Sequence, residues 1–224
     1  MTDLIIISCG KNGLDQITRN ALISLKNSED FKFNVIVVES EPIYYEDCLT
    51  IHPKEKFNYN KFINIGLSYC KNEIVSFCNN DLIFHKNWMS SHIEIFKNHP
   101  KIESLSPKCN FWKNGQKYEK HSNFSKGIYF GSRSGYELTG WCITVKRSLL
   151  NKIGNLDTTT SFWYSDNTYS MQLNKNRIIH ALNADSLVTH LFGKSQILLN
   201  TSELNDMTIG QKKFFIKSIN IKNL

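Results

Sequence analysis

Long apolar runs are missing from this 224-residue chain. Stretches such as Leu4-Ile5-Ile6-Ile7 stop far short of the roughly 18 residues that a membrane-spanning helix needs. Asp3 and the shortness of that first run also argue against an ordinary signal peptide. The expectation is a cytoplasmic protein with no transmembrane segment. Paired cysteines are missing too. The six cysteines, at positions 9, 48, 70, 78, 109 and 142, form no Cys-x-x-Cys and follow no regular spacing. Both a thiolate zinc site and a disulfide framework are therefore disfavoured, and Cys70 and Cys78 read as small apolar core residues of a reduced protein. Gly-x-x-x-x-Gly-Lys-Ser/Thr is absent, and no Gly-x-Gly-x-x-Gly follows the first apolar run. The phosphate-loop and dinucleotide readings lose their main support. No Gly-x-Ser-x-Gly nucleophile elbow occurs. No internal repeat or linker divides the chain, whose length suits one domain.

What is present is an ordinary globular composition, 41% hydrophobic and 21% charged. The 27 basic and 20 acidic residues leave a net charge of +7, which permits an anionic partner such as a nucleotide, a nucleic acid or a membrane surface. Lysine supplies nearly all of the positive charge, 23 residues against 4 arginines, and 25 asparagines accompany it.

Consecutive aliphatics at Leu4–Ile7, Val35–Val38 and Ile74–Cys78 predict strands buried on both faces. Ile17, Ala21, Leu22 and Leu25 recur at helical spacing between the first two, predicting a right-handed strand–helix–strand crossover. A second helix carries Phe62, Gly66 and Tyr69. A third runs from Trp88 to Phe96 and is stopped at His99-Pro100. This succession predicts an α/β fold around a mostly parallel sheet, with ligands at the carboxyl ends of the strands, where Ser8, Glu39 and Asp81 fall. Residues 107–136 mix aromatics, lysines and glycines and read as hairpins or a long functional loop. Beyond them are expected a strand Trp141–Val145, a helix Ser148–Ile153, a helix from Asp166 through Leu173, short strands Arg177–Ala181 and Ser186–His190, and a terminal helix carrying Phe215, Ile216 and Ile219.

Asp81 at a strand end, Asp166 after Phe162-Trp163-Tyr164, and His190 at the end of a late strand are ligand types that suit Mn²⁺ or Mg²⁺. Each has a plainer reading: Asp81 or Asp166 as a helix cap, His190 as a satisfied histidine.

Four groups of residues, in order, resemble the family 2 glycosyltransferases of GT-A fold over about residues 4–195. Leu4-Ile5-Ile6-Ile7-Ser8 and Val35-Ile36-Val37-Val38-Glu39-Ser40 are similar to the opening nucleotide-binding strands. Asn64-Ile65-Gly66 with Phe77-Cys78-Asn79-Asn80-Asp81 is similar to the Asn-x-Gly helix and the metal-binding Asp-x-Asp strand. Gly140-Trp141-Cys142 to Arg147, Ile153-Gly154-Asn155-Leu156-Asp157 and Trp163-Tyr164-Ser165-Asp166 resemble the stretch ending in the catalytic base. His190-Leu191-Phe192-Gly193-Lys194-Ser195 resembles a late His-x-x-Gly-x-Ser. The resemblance implies a single domain over 1–224, with a nucleotide-sugar half (1–106), an acceptor and catalytic half (107–195) and a helical tail (196–224). It implies that Ser8, Glu39, Asn64, Asn79, Asn80, Gly140 and Trp141 bind a nucleotide-sugar, UDP-linked, and that Asp81 and His190 hold Mn²⁺ or Mg²⁺ against its diphosphate. Asp166 would take the proton of the acceptor hydroxyl, with inversion at the anomeric carbon. Asn79 stands where the first Asp of Asp-x-Asp is usual, and Ser165 where many relatives carry Glu.

The acceptor is expected at the basic, aromatic-rich stretch, through Trp112, Lys113, Lys117, Tyr118, Lys120 and Lys126. From Lys101 to Tyr136, seven Lys/Arg face two acids, Glu103 and Glu119. Charge interleaved with aromatics suits phosphate neutralisation plus base stacking. Some tailed phages and large viruses carry small glycosyltransferases that decorate hydroxymethylated bases in their own DNA, and a Lys/Asn/Ile bias mirrors an AT-rich genome. Hydroxymethylated pyrimidine in DNA is thus the acceptor expected first and an oligosaccharide the alternative. A non-catalytic nucleotide- or nucleic-acid-binding module is the third possibility.

Overall fold

The structure, a computed structural model, describes residues 1–113, 116–119, 121, 123–191 and 211; for 12, 112–113 and 117–119 it describes the backbone. The chain opens with β1 (Thr2–Ser8), a short 3-10 turn at Lys11–Gly13, α1 (Asp15–Lys26), β2 (Phe33–Glu39) and β3 (Leu49–Ile51). α2 (Tyr59–Leu67) is capped by the Asn58 side chain, which accepts from Lys61 N, and leads to β4 (Ile74–Asn79) and β5 (Leu82–Phe84). α3 (Trp88–Asn98) has a carboxylate at its N-terminus: Glu29 Oε1 accepts from Met89 N at 2.6 Å and Ser90 N at 3.0 Å. Then follow β6 (Ile102–Lys113), β7 (Gln116–Glu119), β8 (Ile128–Phe130), β9 (Cys142–Lys146), α4 (Leu150–Ile153), α5 (Ser165–Lys175) and β10 (Ile179–His190).

The ten strands among the described residues join one sheet in the order β3-β2-β1-β4-β9-β6-β10-β5, with β7 beside β6 and β8 beside β10. The expected parallel pairing holds from β3 to β4. Beyond β4, β9 enters antiparallel between β4 and β6, and β6 and β10 form a further parallel pair. The sheet is thus mixed, parallel where the first crossovers feed it.

Two-sided burial accounts for the unbroken aliphatic runs. Ile5 and Ile7 of β1 face a core built with Phe62, Ile63, Phe77, Tyr169 and Leu173, while Leu4 and Ile6 face Ala21, Leu25, Trp88 and Met89 on the other side. Gly66 lets α2 lie against β1, because a Cβ there would come 2.6 Å from Ile5 Cγ2. Tyr69, expected on the buried face of that helix, falls beyond its end and is 46% exposed.

Two features differ from expectation for local reasons. The stretch read as hairpins or loop begins inside a core strand, β6, which starts at Ile102. Ser104 and Ser106 of β6 break its apolar pattern yet are fully buried, Ser104 Oγ bonding Tyr169 OH at 2.9 Å and Ser106 Oγ accepting from Thr139 N at 3.1 Å. The expected division at 106/107 falls inside this strand. The two short late strands are one, β10, whose register slips between Asn183 and Leu187. Polar residues hold that bulge: Asn183 Nδ2 donates to Ser91 Oγ at 2.7 Å, and Ser186 Oγ to Trp88 O at 2.8 Å. The expected terminal helix lies outside the described residues except Gln211, which is helical. Gln211 Oε1 accepts from Phe162 N at 3.4 Å. Among the described residues no helix is long and apolar enough to cross a membrane.

Candidate active site

The carboxyl ends of β1, β2 and β4 meet in a buried polar network. Glu39, the last residue of β2, is 0% exposed, so its carboxylate is satisfied from within. Oε1 accepts from Gly10 N at 2.8 Å and Glu41 N at 2.9 Å, and Oε2 accepts from Tyr45 OH at 2.6 Å. Burial, reinforced by the bond to Glu39, pushes the Tyr45 phenol up to about 12, so it remains a donor. Ser8 Oγ lies 2.6 Å from Thr18 Oγ1 and 3.3 Å from Tyr45 OH. Asn80 Nδ2 donates to Thr18 Oγ1 at 3.0 Å. Ser8, Glu39 and Asn80 are therefore brought together, but through one another and through Thr18 and Tyr45. They set the shape of the turn at residues 8–13.

Past β4, Asn79-Asn80-Asp81 turns the chain into β5, which pairs antiparallel with the end of β10. Leu191 N donates to Asp81 O at 2.8 Å, closing the two turns on each other. This pairing sets His190 Nε2 3.0 Å from Asp81 Oδ1. Both side chains are buried, so the carboxylate is compensated through the imidazole Nε2, a place that a bound cation could equally fill. Two donors in adjacent positions of an octahedral ion with bonds of about 2.1 Å stand about 3 Å apart. The pair thus fits a divalent ion with room for exogenous ligands; among the described residues no third His, Cys, Asp or Glu joins it. Asn79 Nδ2 lies 3.5 Å from His190 Nε2, while its Oδ1 accepts from Tyr59 OH at 2.8 Å. The Asn79 carbonyl, a candidate for a ribose hydroxyl or the ion, is thus directed to Tyr59.

Trp141 stacks on His190, with centroids 5.3 Å apart and planes at 13°, and Phe111 tilts against both rings. Next to Trp141, Gly140 abuts Asp166, and a Cβ at 140 would lie 2.7 Å from Asp166 Cβ. Glycine is therefore what lets β9 begin beside this carboxylate. Asp166 sits in the first turn of α5, after Tyr164, which adopts a left-handed backbone (φ 67°) that a tyrosine holds only under constraint. Asp166 Oδ1 accepts from Asn167 N at 3.0 Å, and Oδ2 accepts a short hydrogen bond from the Ser134 hydroxyl. A continuous line results: Asp81, His190, Trp141, Gly140, Asp166.

Tyr59 ties this line together and was not among the expected residues. Its hydroxyl reaches Asn79 Oδ1 at 2.8 Å and Gly140 O at 3.0 Å. Burial, with Asp166 and Asp81 nearby, pushes its phenol well above the usual value. Asn60, next in α2, donates to Asp157 O at 2.6 Å and so anchors the approach to α5. Asn64 lies in the same role and apart from the buried network: Oδ1 accepts from Leu156 N at 2.8 Å, and Nδ2 donates to Leu156 O at 2.9 Å. Ser134, Tyr45 and Thr18 carried no signal beyond their residue type. Of the expected acceptor residues, Trp112, Lys113, Lys117 and Tyr118 lie on the β6–β7 hairpin by backbone position. Lys126 is exposed, and Lys120 is outside the described residues. The described residues also form an open depression of about 500 Å³ lined by Lys101, Glu103, Lys146, Lys152 and Arg177, where β6 and β10 begin and β9 ends.

A three-layer α/β sheet with a buried polar network, an Asp–His pair and a carboxylate at one end is the architecture of the GT-A fold. The chain belongs to glycosyl transferase family 2, whose sequence model matches residues 4–154. Asp166 and His190 lie past the matched stretch. No curated protein matches the chain in sequence. Among solved structures, it is similar to GalNAc-T7 crystallised with UDP, GalNAc and Mn²⁺ (TM-score 0.67, 10% identity, 86% of this chain and 43% of that one). It is also similar to TarS of S. aureus, both as the 1–349 fragment (TM-score 0.65, 15% identity, 85% and 60%) and as the longer chain (0.65, 14%, 88% and 37%). The chain spans less than two thirds of each, and at these identities the likeness is one of fold.

Proposed function

We propose that this protein moves a sugar from a nucleotide-sugar, UDP-linked, to an acceptor hydroxyl, with a divalent ion and with inversion. The observation that carries this reading is the line from the Asp81–His190 pair through Trp141 and Gly140 to Asp166. Donor and acceptor chemistry need such an arrangement side by side. The polar network under Ser8, Glu39 and Asn80 shapes the nucleoside pocket, and Trp141 walls the diphosphate side. Asp81 and His190 would hold Mn²⁺ or Mg²⁺, and the ion, when bound, stabilises negative charge on the departing diphosphate. Asp166 takes the acceptor proton, its orientation held by Ser134 and Asn167. A single carboxylate on the side away from the leaving group corresponds to direct displacement. GalNAc-T7 was crystallised with UDP and Mn²⁺, which supports the same donor class and ion here. Six free thiols support a reducing, cytoplasmic setting. A non-catalytic binding module is supported by Asn79 alone.

For the acceptor, the surplus of lysine over residues 101–136 supports hydroxymethylated pyrimidine in DNA. One observation favours a glycan: Arg133, near Asp166 through Ser134, is paired with Glu137 and so offers phosphate no unbalanced charge. We take the glycan as the better supported. The test is a mass-spectrometric screen of nucleotide-sugars with Mn²⁺ against neutral glycans and hydroxymethylcytosine DNA. Release of a nucleoside diphosphate with sugar transfer is expected. Its absence for every donor would return the chain to the binding-module reading.

A further inference from the structure

The positive charge of the chain is gathered at one end of the sheet. β4, β9, β6 and β10 are neighbours, and β4, β6 and β10 begin where β9 ends. The segments at that end are 71–73, 97–101, 146–152 and 174–178. Lys71 precedes β4, and Lys97 and Lys101 precede β6. Lys146 ends β9 with Arg147 and Lys152 beyond it, and Lys175 and Arg177 precede β10. Against these eight cations the four segments hold one acid, Glu73, so they carry +7. That equals the net charge of the whole chain, so all other residues together are balanced.

Long-range contacts make these segments one surface. Arg147 N donates to Glu73 O at 2.7 Å and Arg147 Nε to Asn72 O at 2.9 Å. Lys146 Nζ donates to Pro100 O at 2.8 Å and lies 5.4 Å from the centroid of the Phe96 ring. Lys152 pairs with Glu103 at 2.6 Å, and among the described residues none of the other seven cations is in an ion pair. Lys71, Lys97, Lys101, Arg147, Lys175 and Arg177 are exposed. Helix ends account for part of this charge, since α2, α3 and α5 finish here and a helix carboxyl end favours cations. Each end is equivalent to roughly half a negative charge, so three of them and Glu103 leave about four positive charges unbalanced. Like charges held this close repel, and an anionic partner relieves the repulsion.

The form of the surface selects the partner. The cations surround an open depression and line no groove that a strand would follow. Six of the eight are lysines, point charges without the planar fork that reads base edges. A single-stranded nucleic acid also needs a row of rings to stack on. The only large aromatic exposed at this end among the described residues is Tyr69, at 46%. A tyrosine beside an exposed aliphatic, here Ile179, suits a headgroup layer, where one part of the ring is apolar and the other wet. Basic clusters of this size attract anionic headgroups.

We propose that the end of the sheet formed by 71–73, 97–101, 146–152 and 174–178 docks the protein on an anionic lipid surface. Docking is peripheral, by charge attraction with Tyr69 and Ile179 at the headgroups. β4 runs from this end to Asn79, and Ser8 ends the parallel β1 beside it, so a docked chain keeps those turns of the candidate active site clear of the bilayer.

The test is sedimentation of the full chain with vesicles of phosphatidylcholine and phosphatidylserine, with pure phosphatidylcholine vesicles and a duplex oligonucleotide alongside. Binding to the mixed vesicles is expected, with none to the pure ones and loss of binding between about 50 and 500 mM salt. A chain carrying Lys71→Gln, Lys101→Gln and Arg177→Gln should bind about a hundredfold more weakly, at roughly fivefold per cation. A control chain of equal net charge, with Lys32→Gln, Lys54→Gln and Lys56→Gln, should lose less than about threefold. All six positions are exposed, and melting temperatures report that both folds are intact. On the wild type, mixed vesicles should slow acetylation of Lys71, Lys97 and Lys101 and leave that of Lys54 and Lys56 unchanged. No binding to mixed vesicles, equal weakening in the two triple variants, or unslowed acetylation at this end would each overturn the proposal. Oligonucleotide bound in preference to vesicles, and lost in the first triple variant, would overturn it too and assign the surface to nucleic acid.

Discussion

The two ends of the line that crosses the site are built on opposite plans. At the carboxyl ends of β1, β2 and β4, Ser8, Thr18, Glu39, Tyr45 and Asn80 are buried and satisfy one another, so each polar atom holds its neighbours in place. Beside Asp166, the loop from Gly131 to Thr139 secures its own backbone and leaves Tyr136 in solvent. A buried polar network tolerates little variation, because one lost partner strands a group in low dielectric. An exposed loop can change its side chains at small cost to the fold. The contrast is one of tolerance, a rigid interior network against a variable surface loop, with Asp166 bonded to that loop through Ser134.

The largest effect is expected where the two plans meet. Asp166→Asn should lower transfer by roughly 10²–10⁴-fold while melting as wild type, since the change keeps size and removes a proton acceptor. Steady-state transfer by the folded variant checks it, and near wild-type turnover would take Asp166 out of the mechanism.

Acid should act on the interior and not on the loop's exposed rings. His92 and His180 are buried, and burial pushes their pKa down to about 3 and about 4. The unfolded chain takes up these protons near pH 6.5 and the folded one does not, so stability falls as pH drops below that value. The loss should approach roughly 1.4 kcal/mol per pH unit for each histidine until the folded pKa is reached. His180 Nε2 lies 3.2 Å from Glu137 O, so its protonation couples the core to the loop from Gly131 to Thr139. Denaturant titrations at pH 7 and pH 5 measure this, and equal stability at both would mean the two imidazoles are not held neutral.

Removing one ligand of the proposed ion should touch the donor end alone. Asp81→Ala should weaken UDP binding in Mn²⁺ at least about tenfold and abolish the difference between titrations with Mn²⁺ and with a chelator. Unchanged metal dependence would separate Asp81 and His190 from the ion. The smallest effect is expected at Asn64. Loss of both bonds to Leu156 in Asn64→Ala should cost about 1–2 kcal/mol and lower the melting temperature by a few degrees. A thermal melt reads it, and an unaltered midpoint would show that α2 is held to the 156 turn by other contacts.

Much of residues 1–106 was legible because its signals are local. Runs such as Ile74-Val75-Ser76-Phe77-Cys78 announce two-sided burial; Glu39 stands directly after such a run and Asp81 shortly beyond one. The rest depends on pairings that no local pattern carries. The antiparallel entry of β9 beside β4 is set by long-range assembly, and it alone brings Trp141 and Gly140 to Asn79. β6 went unread because its two serines are buried through hydrogen bonds to distant partners. Tyr59 looks like any aromatic at a helix start until Asn79 and Gly140 come within reach of its hydroxyl.

By itself the sequence determined the kind of sheet the chain begins with, the chemical types at its strand ends and the order in which they occur. Residue type and period are properties of single segments, and burial acts on each segment alike wherever it lands. Tertiary structure alone decided that Asn79 and His190, 111 positions apart, meet at 3.5 Å, that Glu39 is enclosed, and that Tyr136 is left exposed. Those outcomes follow from which strands pair and in which direction. That choice is made by the whole core closing at once, where each contact is stable only because the others have formed.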